Sequence, residues 1–365
     1  MFLFHRIMWR RLLSTSVRPT APVVIARQAG VINTTEFRLF FDRTAAGASK
    51  AATVSPWHDI PLRPTGAVDA LHFNYVNEIP KGYAQYSCNF KIQSILKHIR
   101  ICAFLFLEIK NQANVCFPSR LFCSAVAVFS TRGKMEIATK EEFNPIKQDV
   151  KKGELRYFKL GDIPFNYGCL PQTWEDPAFA HPDTRLGGDN DPIDAVEIGP
   201  AIACGVISSV KVLGVLAMID EGETDWKVLV ISRAHPLASK INSASLCCLS
   251  ISLLHDSPRL ILIALLSHSH CLVWNDATRD GQTGVADIDK HLPGTTHAVR
   301  EWFRDYKVPD GKKQNSFALN ERFQEPDYAL HVIQETHTAW TSLLAGKTPA
   351  GKLWLPDQSI VSAKQ

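Results

Sequence analysis

The chain has 365 residues, 45% of them hydrophobic and 21% charged, a composition that suits a soluble globular protein and excludes a mostly disordered one. Its net charge of +4 is local, because residues 1–35 hold Arg6, Arg10, Arg11, Arg18 and Arg27 with no Lys and no acid, leaving −1 for residues 36–365. A body so close to neutral lacks the basic face that nucleic-acid binding requires.

Met1–Gln28 is Arg-rich and acid-free, with Ser and Thr following a mixed apolar and basic run. This pattern predicts a mitochondrial presequence over about residues 1–30 and a matrix location. An exposed tail on a cytoplasmic protein is the alternative. No apolar run approaches the roughly 18 residues that span a bilayer, so no stable membrane insertion is expected. Glu36–Asp42 alternates as a strand does, and Ala70–Ile79 reads as another, closed by Pro80. Tyr157–Phe165 is ambiguous. Ala195–Gly199, Ala203–Val215 and Trp226–Ile231 are strand-like. Helices come late. Thr295–Tyr306 carries Val299, Trp302, Phe303 and Tyr306 on one stripe, with Thr295 or Thr296 as N-cap. Asp327–Ala345 repeats the pattern with Leu330, Ile333, His337, Trp340 and Leu344, and Gly346 is placed to end it. Strands before helices predict an α+β or β-barrel domain rather than a doubly wound sheet.

Seven of the nine cysteines lie within residues 82–131 and 243–282. Their spacing fits neither a zinc site nor a disulfide framework.

The chemistry concentrates in two acidic clusters. In Gly188-Asp189-Asn190-Asp191-Pro192-Ile193-Asp194, Asp189 and Asp191 share a face of an extended segment, and the Pro turn brings Asp194 around. An EF-hand is excluded, since its sixth position would be Asp194 instead of Gly. In Asp220–Lys227, Asp220 and Asp225 precede a strand that also carries Lys227. Hard oxygen donors beside cations suit Mg²⁺ bridging to a phosphate; a solvated acidic turn is the bland alternative.

At these residues the sequence resembles the soluble family I inorganic pyrophosphatases of the fungal/animal type. The signature D-x-D-P-x-D stands as Asp189–Asp194. Around it lie Asn166-Tyr167-Gly168, Pro171–Pro177, Asp220–Lys227, Glu301–Lys312 and Glu335-Thr336-His337. The resemblance implies an OB-type five-stranded β-barrel with flanking C-terminal helices, mostly β overall. It implies Mg²⁺-dependent hydrolysis of pyrophosphate to two phosphates by a single domain over residues 31–350, and a homodimer. Carried over by position, Asp189, Asp194 and Asp225 hold a high-affinity metal. Asp194 helps hold a second through water, Asp220 and Asp225 serve a substrate-associated metal, and Glu136 another. Asp191 is the general base. Lys134, Arg156, Tyr167, Lys227, Tyr306 and Lys307 bind phosphate oxygens, and Glu78 supports the water network. Residues 351–365 form a tail.

The sequence departs from the family in three places. Residues 82–131 separate Glu78 from Lys134, and residues 243–282 interrupt the later half; both are far longer than the family's connections. Ile163 stands nearest to where the family carries an additional Tyr. Long stretches without amphipathic order are uncommon in compact domains, and translated introns are the favoured explanation, a genuine lineage-specific insertion the alternative. Two rival functions follow: an inactive pyrophosphatase-like product, and an OB-type nucleic-acid-binding module that the near-neutral body disfavours.

Overall fold

The computed structural model describes residues 23–45, 50–67, 69–82, 132–241 and 284–356. The two atypical stretches, apart from Gly82, and residues 1–22 of the expected presequence lie outside the described residues. Among those described, the chain is mostly β with few helices. The first strands are β1 (Val23–Ala29), β2 (Arg38–Thr44), β3 (Ala52–Val54), β4 (His72–Ile79), β5 (Met135–Ile137) and β6 (Ile146–Gln148). They are followed by β7 (Val150–Lys151), β8 (Glu154–Leu155), β9 (Asn166–Cys169), β10 (Asp194–Glu197), β11 (Ile207–Asp220) and β12 (Glu223–Ser232). Then come α1 (Gly284–His291), α2 (Thr295–Asp305), β13 (Ser316–Phe317) and α3 (Pro326–Leu344).

The larger sheet runs β12–β10–β9–β4–β11–β13, and β11 pairs again with β12. Its pairings are antiparallel except β10 with β12, which is parallel. A smaller sheet runs β1–β2–β6–β5, with β3 on β2. β11 and β12 are nearly continuous apolar runs because both of their faces are covered. On one face, Leu216, Met218, Leu229 and Ile231 pack with Val299, Trp302 and Phe303 of α2. On the other, Val215, Ala217, Val228 and Val230 pack with Ala329, Val332 and Ile333 of α3. A register shift between Val212 and Gly214 bulges β11, which keeps both alternating sets in phase with their cores.

Three expectations shift. The stretch Val23–Ala29, read as the end of the presequence, pairs residue by residue with β2, and Arg27 binds Asp42 at 2.5 Å. At the other end Leu353 is buried in the core, so ordered packing continues past residue 350. Helix α2 is preceded by Gly294 in the left-handed conformation with no side-chain cap, instead of by a capping Thr. The ambiguous Tyr157–Phe165 resolves into an isolated bridge at Tyr157 and a loop whose Phe158, Ile163 and Phe165 fill the core. Gly346 does end α3, at φ 67°, with its N–H on the Leu343 carbonyl.

Candidate active site

The β11–β12 hairpin sets the first part of the site. Asp220 faces Glu223 across a two-residue turn of Glu221 and Gly222, both at positive φ as such hairpins require. Side chains alternate along β12, so Asp225 and Lys227 share the face that continues into Leu229 and Ile231. The sequence thus ends one core face in an acid and a base. Lys227 is only 2% exposed and donates to Asp225, to Asp194 at the start of β10, and to Tyr167 of β9 at 3.0 Å. The Tyr167 hydroxyl in turn donates to Asp194. Beside the hairpin, at the end of α2, Lys307 binds Asp220 and Glu221, and the Tyr306 hydroxyl donates to Asp220 at 3.4 Å.

The loop before β10 supplies Asp189 and Asp191. Asn190 between them sits at φ 73°, a conformation Asn tolerates, and Trp174 Nε1 donates to its side chain at 3.1 Å. The Asp191 N–H returns to Asp189 Oδ1 at 3.0 Å. The loop lies flat on residues 175–177: a Cβ at Gly188 would stand 2.4 Å from the Glu175 carbonyl carbon, so glycine is needed there.

A third group gathers where β5, paired with β6 in the smaller sheet, meets β4 of the larger. Lys134 Nζ reaches Glu136 at 3.1 Å and Asp149 at 3.3 Å, and Arg156 binds Asp149 at 2.5 Å. Glu78, buried at the end of β4, accepts the Ile137 N–H at 3.3 Å.

The three groups form one electrostatic unit. Burial first, then the charge of Asp194 and Glu136, pushes the Glu78 carboxyl well above its ordinary range. Asp191 keeps solvent access at the mouth of the site, yet desolvation of its carboxyl, with Glu136 and Asp194 nearby, pushes it up to about 7. Burial and neighbouring carboxylates likewise raise Asp189 and Glu175, and burial raises Asp225 although Lys227 opposes it. Lys134 moves upward despite burial, because Glu136 and Asp149 hold its charge. So many acids competing for charge call for cations. Glu175, Asp189 and Asp225 offer oxygens within 4.8 Å of one another, and Glu175 Oε2 is buried without a hydrogen-bond partner among the described residues. That orphaned oxygen in an all-carboxylate set fits a hard divalent cation.

The family model described as inorganic pyrophosphatase matches residues 127–253 and 272–341. An inorganic pyrophosphatase of Eremothecium gossypii is 36% identical over 331 residues, covering 89% of this chain and 82% of the relative. The chloroplastic soluble inorganic pyrophosphatase 6 of Arabidopsis thaliana is 36% identical, over 95% of this chain and 85% of its own. The chain belongs to the inorganic pyrophosphatase family. Its fold agrees: the recombinant pyrophosphatase of Trypanosoma brucei brucei superposes with a TM-score of 0.63 at 30% identity, covering 95% of this chain and 78% of that one. An N-terminally truncated vacuolar soluble pyrophosphatase of Trypanosoma cruzi, solved in complex with PPi, gives 0.60 at 31% identity over 89% and 93% of the two chains. The chain is accordingly a pyrophosphate hydrolase with the pyrophosphatase fold.

All thirteen residues singled out in the sequence are described; direct contacts gather Lys227 with Asp194, Asp225 and Tyr167, Lys307 and Tyr306 with Asp220, and Lys134 with Glu136, while Arg156 meets Lys134 through Asp149. Two further members were missed. Glu175 lies in the motif Pro171–Pro177, but nothing in its spacing shows that its Oε1 accepts the Trp226 N–H at 2.9 Å and that one of its carboxylate oxygens lies within 4.8 Å of oxygens of Asp189 and Asp225. Asp149 stands alone in sequence, and only the fold brings Lys134 and Arg156 to it. In these contacts Asp194 is engaged by Lys227 and Tyr167, while Glu175 completes the close carboxylate set.

Proposed function

We propose that this pyrophosphatase works with Mg²⁺ and uses Asp191 as general base. The observation that carries the reading is the buried, partly unsatisfied carboxylate set of Glu175, Asp189 and Asp225 beside Lys227. Asp189, Asp194 and Asp225 would hold the tightest ion, with Asp220 and Glu136 serving others. When bound, Mg²⁺ would neutralise phosphate oxygens and acidify a coordinated water. Asp191, with its carboxyl poised near 7, takes the proton from the attacking water. As the water oxygen bonds to one phosphorus, the bond from that phosphorus to the bridging oxygen breaks, and two phosphates result. Lys227, Tyr167 and Arg156 bind and orient the phosphoryl oxygens, while Lys134, Tyr306 and Lys307 hold the leaving phosphate. Glu78, behind Ile137, steadies the water network.

Phosphate release from pyrophosphate with Mg²⁺ tests this. Asp191→Ala is expected to lower the rate at least about a hundredfold, the lower bound for losing a general base. Near-wild-type turnover in that variant would remove Asp191 from the role.

The circuit of pairings through β4, β9, β10, β12 and β11 supports an OB-type barrel as the scaffold. A homodimer is the assembly proposed, to be read as twice the 40.7 kDa chain mass, less any leader, by light scattering. Arg6, Arg10, Arg11 and Arg18, with no acid among residues 1–22, support a mitochondrial leader cleaved before β1. N-terminal sequencing of the native protein checks it, and an intact Met1 would refute it. Among the described residues no helix is long and apolar enough to cross a membrane.

A further inference from the structure

We propose that Thr139 is a positioning residue for Asp191, anchored from behind by the C-terminal segment through Trp354. The proposal rests on Asp191 being the general base. The buried Thr139 donates its hydroxyl to Asp191 Oδ1 at 3.3 Å. Its carbonyl accepts the Asn144 side-chain amide at 3.1 Å and the Trp354 N–H at 2.9 Å. Thr139 is therefore fixed from two directions while its hydroxyl faces the site.

The turn that carries it is held in an unfavourable shape. Phe143 and Asn144 are consecutive non-glycine residues at φ 61° and 44°. Such residues persist where the surroundings over-determine them, and they concentrate at functional sites. Here the surroundings are identifiable. Asn144 is fully buried, and its Oδ1 accepts the Ser55 hydroxyl at 2.8 Å. The Trp354 ring packs 5.3 Å from Phe143, and the Trp354 carbonyl accepts from His58 Nε2 at 3.2 Å. His58 Nδ1 accepts from Trp340 Nε1 of α3 at 2.9 Å. An unbroken set of contacts runs from α3 through His58, Trp354 and Thr139 to Asp191.

The chemical value lies in the torsion of the carboxyl. Asp191 stands on a loop, and the Thr139 hydroxyl is the side-chain hydrogen bond that its carboxyl makes among the described residues. A hydroxyl on Oδ1 selects one orientation and leaves Oδ2 for the proton of the attacking water. General bases act only from hydrogen-bond reach of that proton, so this orientation governs turnover more than substrate affinity.

The test uses the full-length protein with Mg²⁺ and pyrophosphate. Thr139→Val keeps the shape and deletes the hydroxyl; kcat is expected to fall about tenfold with KM within about twofold, the size of one hydrogen bond to a charged group. Thr139→Ser is expected to restore kcat to within about twofold, and Trp354→Ala to lower kcat in the same sense. In an Asp191→Glu background, where the carboxyl is displaced, the Thr139→Val loss is expected to shrink to about twofold or less. An unchanged kcat in Thr139→Val, equal losses in the Val and Ser variants, or the full loss persisting in Asp191→Glu would each overturn the proposal. Should Thr139→Val fail to fold, the Ser and Trp354→Ala variants still decide it: a Ser variant as impaired as Trp354→Ala rejects the hydroxyl. Activity retained in Asp191→Ala strikes the base assignment instead, so the two failures are told apart.

Discussion

Glu175 has the burial of a core residue and the charge of a ligand. It is 3% exposed, one oxygen satisfied by the Trp226 N–H and the other by no hydrogen bond among the described residues. A buried carboxylate oxygen left unpaired costs free energy that a bound cation would offset. Glu175→Gln preserves the size and the bond to Trp226 while removing the charge. It is expected to weaken Mg²⁺ binding about tenfold by isothermal titration calorimetry, roughly the loss of one charge-assisted contact. Unchanged affinity would make Glu175 purely architectural. The aspartates of the two clusters were legible because acids at i, i+2 and i+5 with an intervening Pro stand out in one window. Glu175 and Asp149 were not legible as site members: each meets its partners only through the tertiary fold, and the neighbouring Asp176 of Glu175 and Lys147 and Lys151 of Asp149 do not point to those partners.

Elements were legible in proportion to their length and to how many faces they bury. β11 and β12 announced themselves as Val- and Ile-rich runs, and α2 and α3 as stripes. The three-residue strands β5 and β6 carry too few alternations to register, yet they place Glu136 and Lys134 beside the site. The contact between α3 and the C-terminal segment was equally hidden, since His58, which bridges them, is far in sequence from both Trp340 and Trp354. That contact has a pH signature. Burial pushes His58 down to about 4, despite its bond to the Trp354 carbonyl. The imidazole stays neutral in the folded protein, while in the unfolded chain it titrates near the ordinary value of about 6.5. Its contribution is therefore complete above pH 6.5 and is lost as pH falls towards 4, about 3 kcal/mol in all. The His58 ring signal in an NMR titration is expected to move only near pH 4. A midpoint above 6 would mean that the ring is solvated and that the C-terminal segment is not seated on it.

At the scale of the whole chain, the two atypical stretches leave and re-enter the fold at nearly the same places. Before the first, the Gly82 N–H bonds the Ile163 carbonyl at 2.8 Å, and the Gly82 backbone lies against Asp162. After it, Arg132 Nε donates to the same Asp162 at 2.8 Å. The second departs from Ile241, whose carbonyl accepts Lys211 Nζ at 2.7 Å, and the chain returns through α1, where Asp287 acts on the charge of that same Lys211. The first stretch is thus flanked at both ends by Asp162, and the second leaves from a residue bonded to Lys211 and returns through a helix whose Asp287 acts on that lysine's charge. Closure entropy varies slowly with length, so shortening such a connection has little effect on folding by itself. A chain with residues 83–131 and 242–283 each replaced by a short Gly-Ser link is expected to fold with its melting temperature preserved or raised, and to hydrolyse pyrophosphate at least as fast as the full chain. Removal of the apolar runs Ile101–Leu107 and Leu260–Leu266 is also expected to increase soluble yield. Loss of folding in the shortened chain would assign the stretches a structural role and remove the translated-intron reading. Intact mass of the native protein supplies the independent measurement, because a mature chain that retains residues 82–131 refutes that reading even if the shortened enzyme is active.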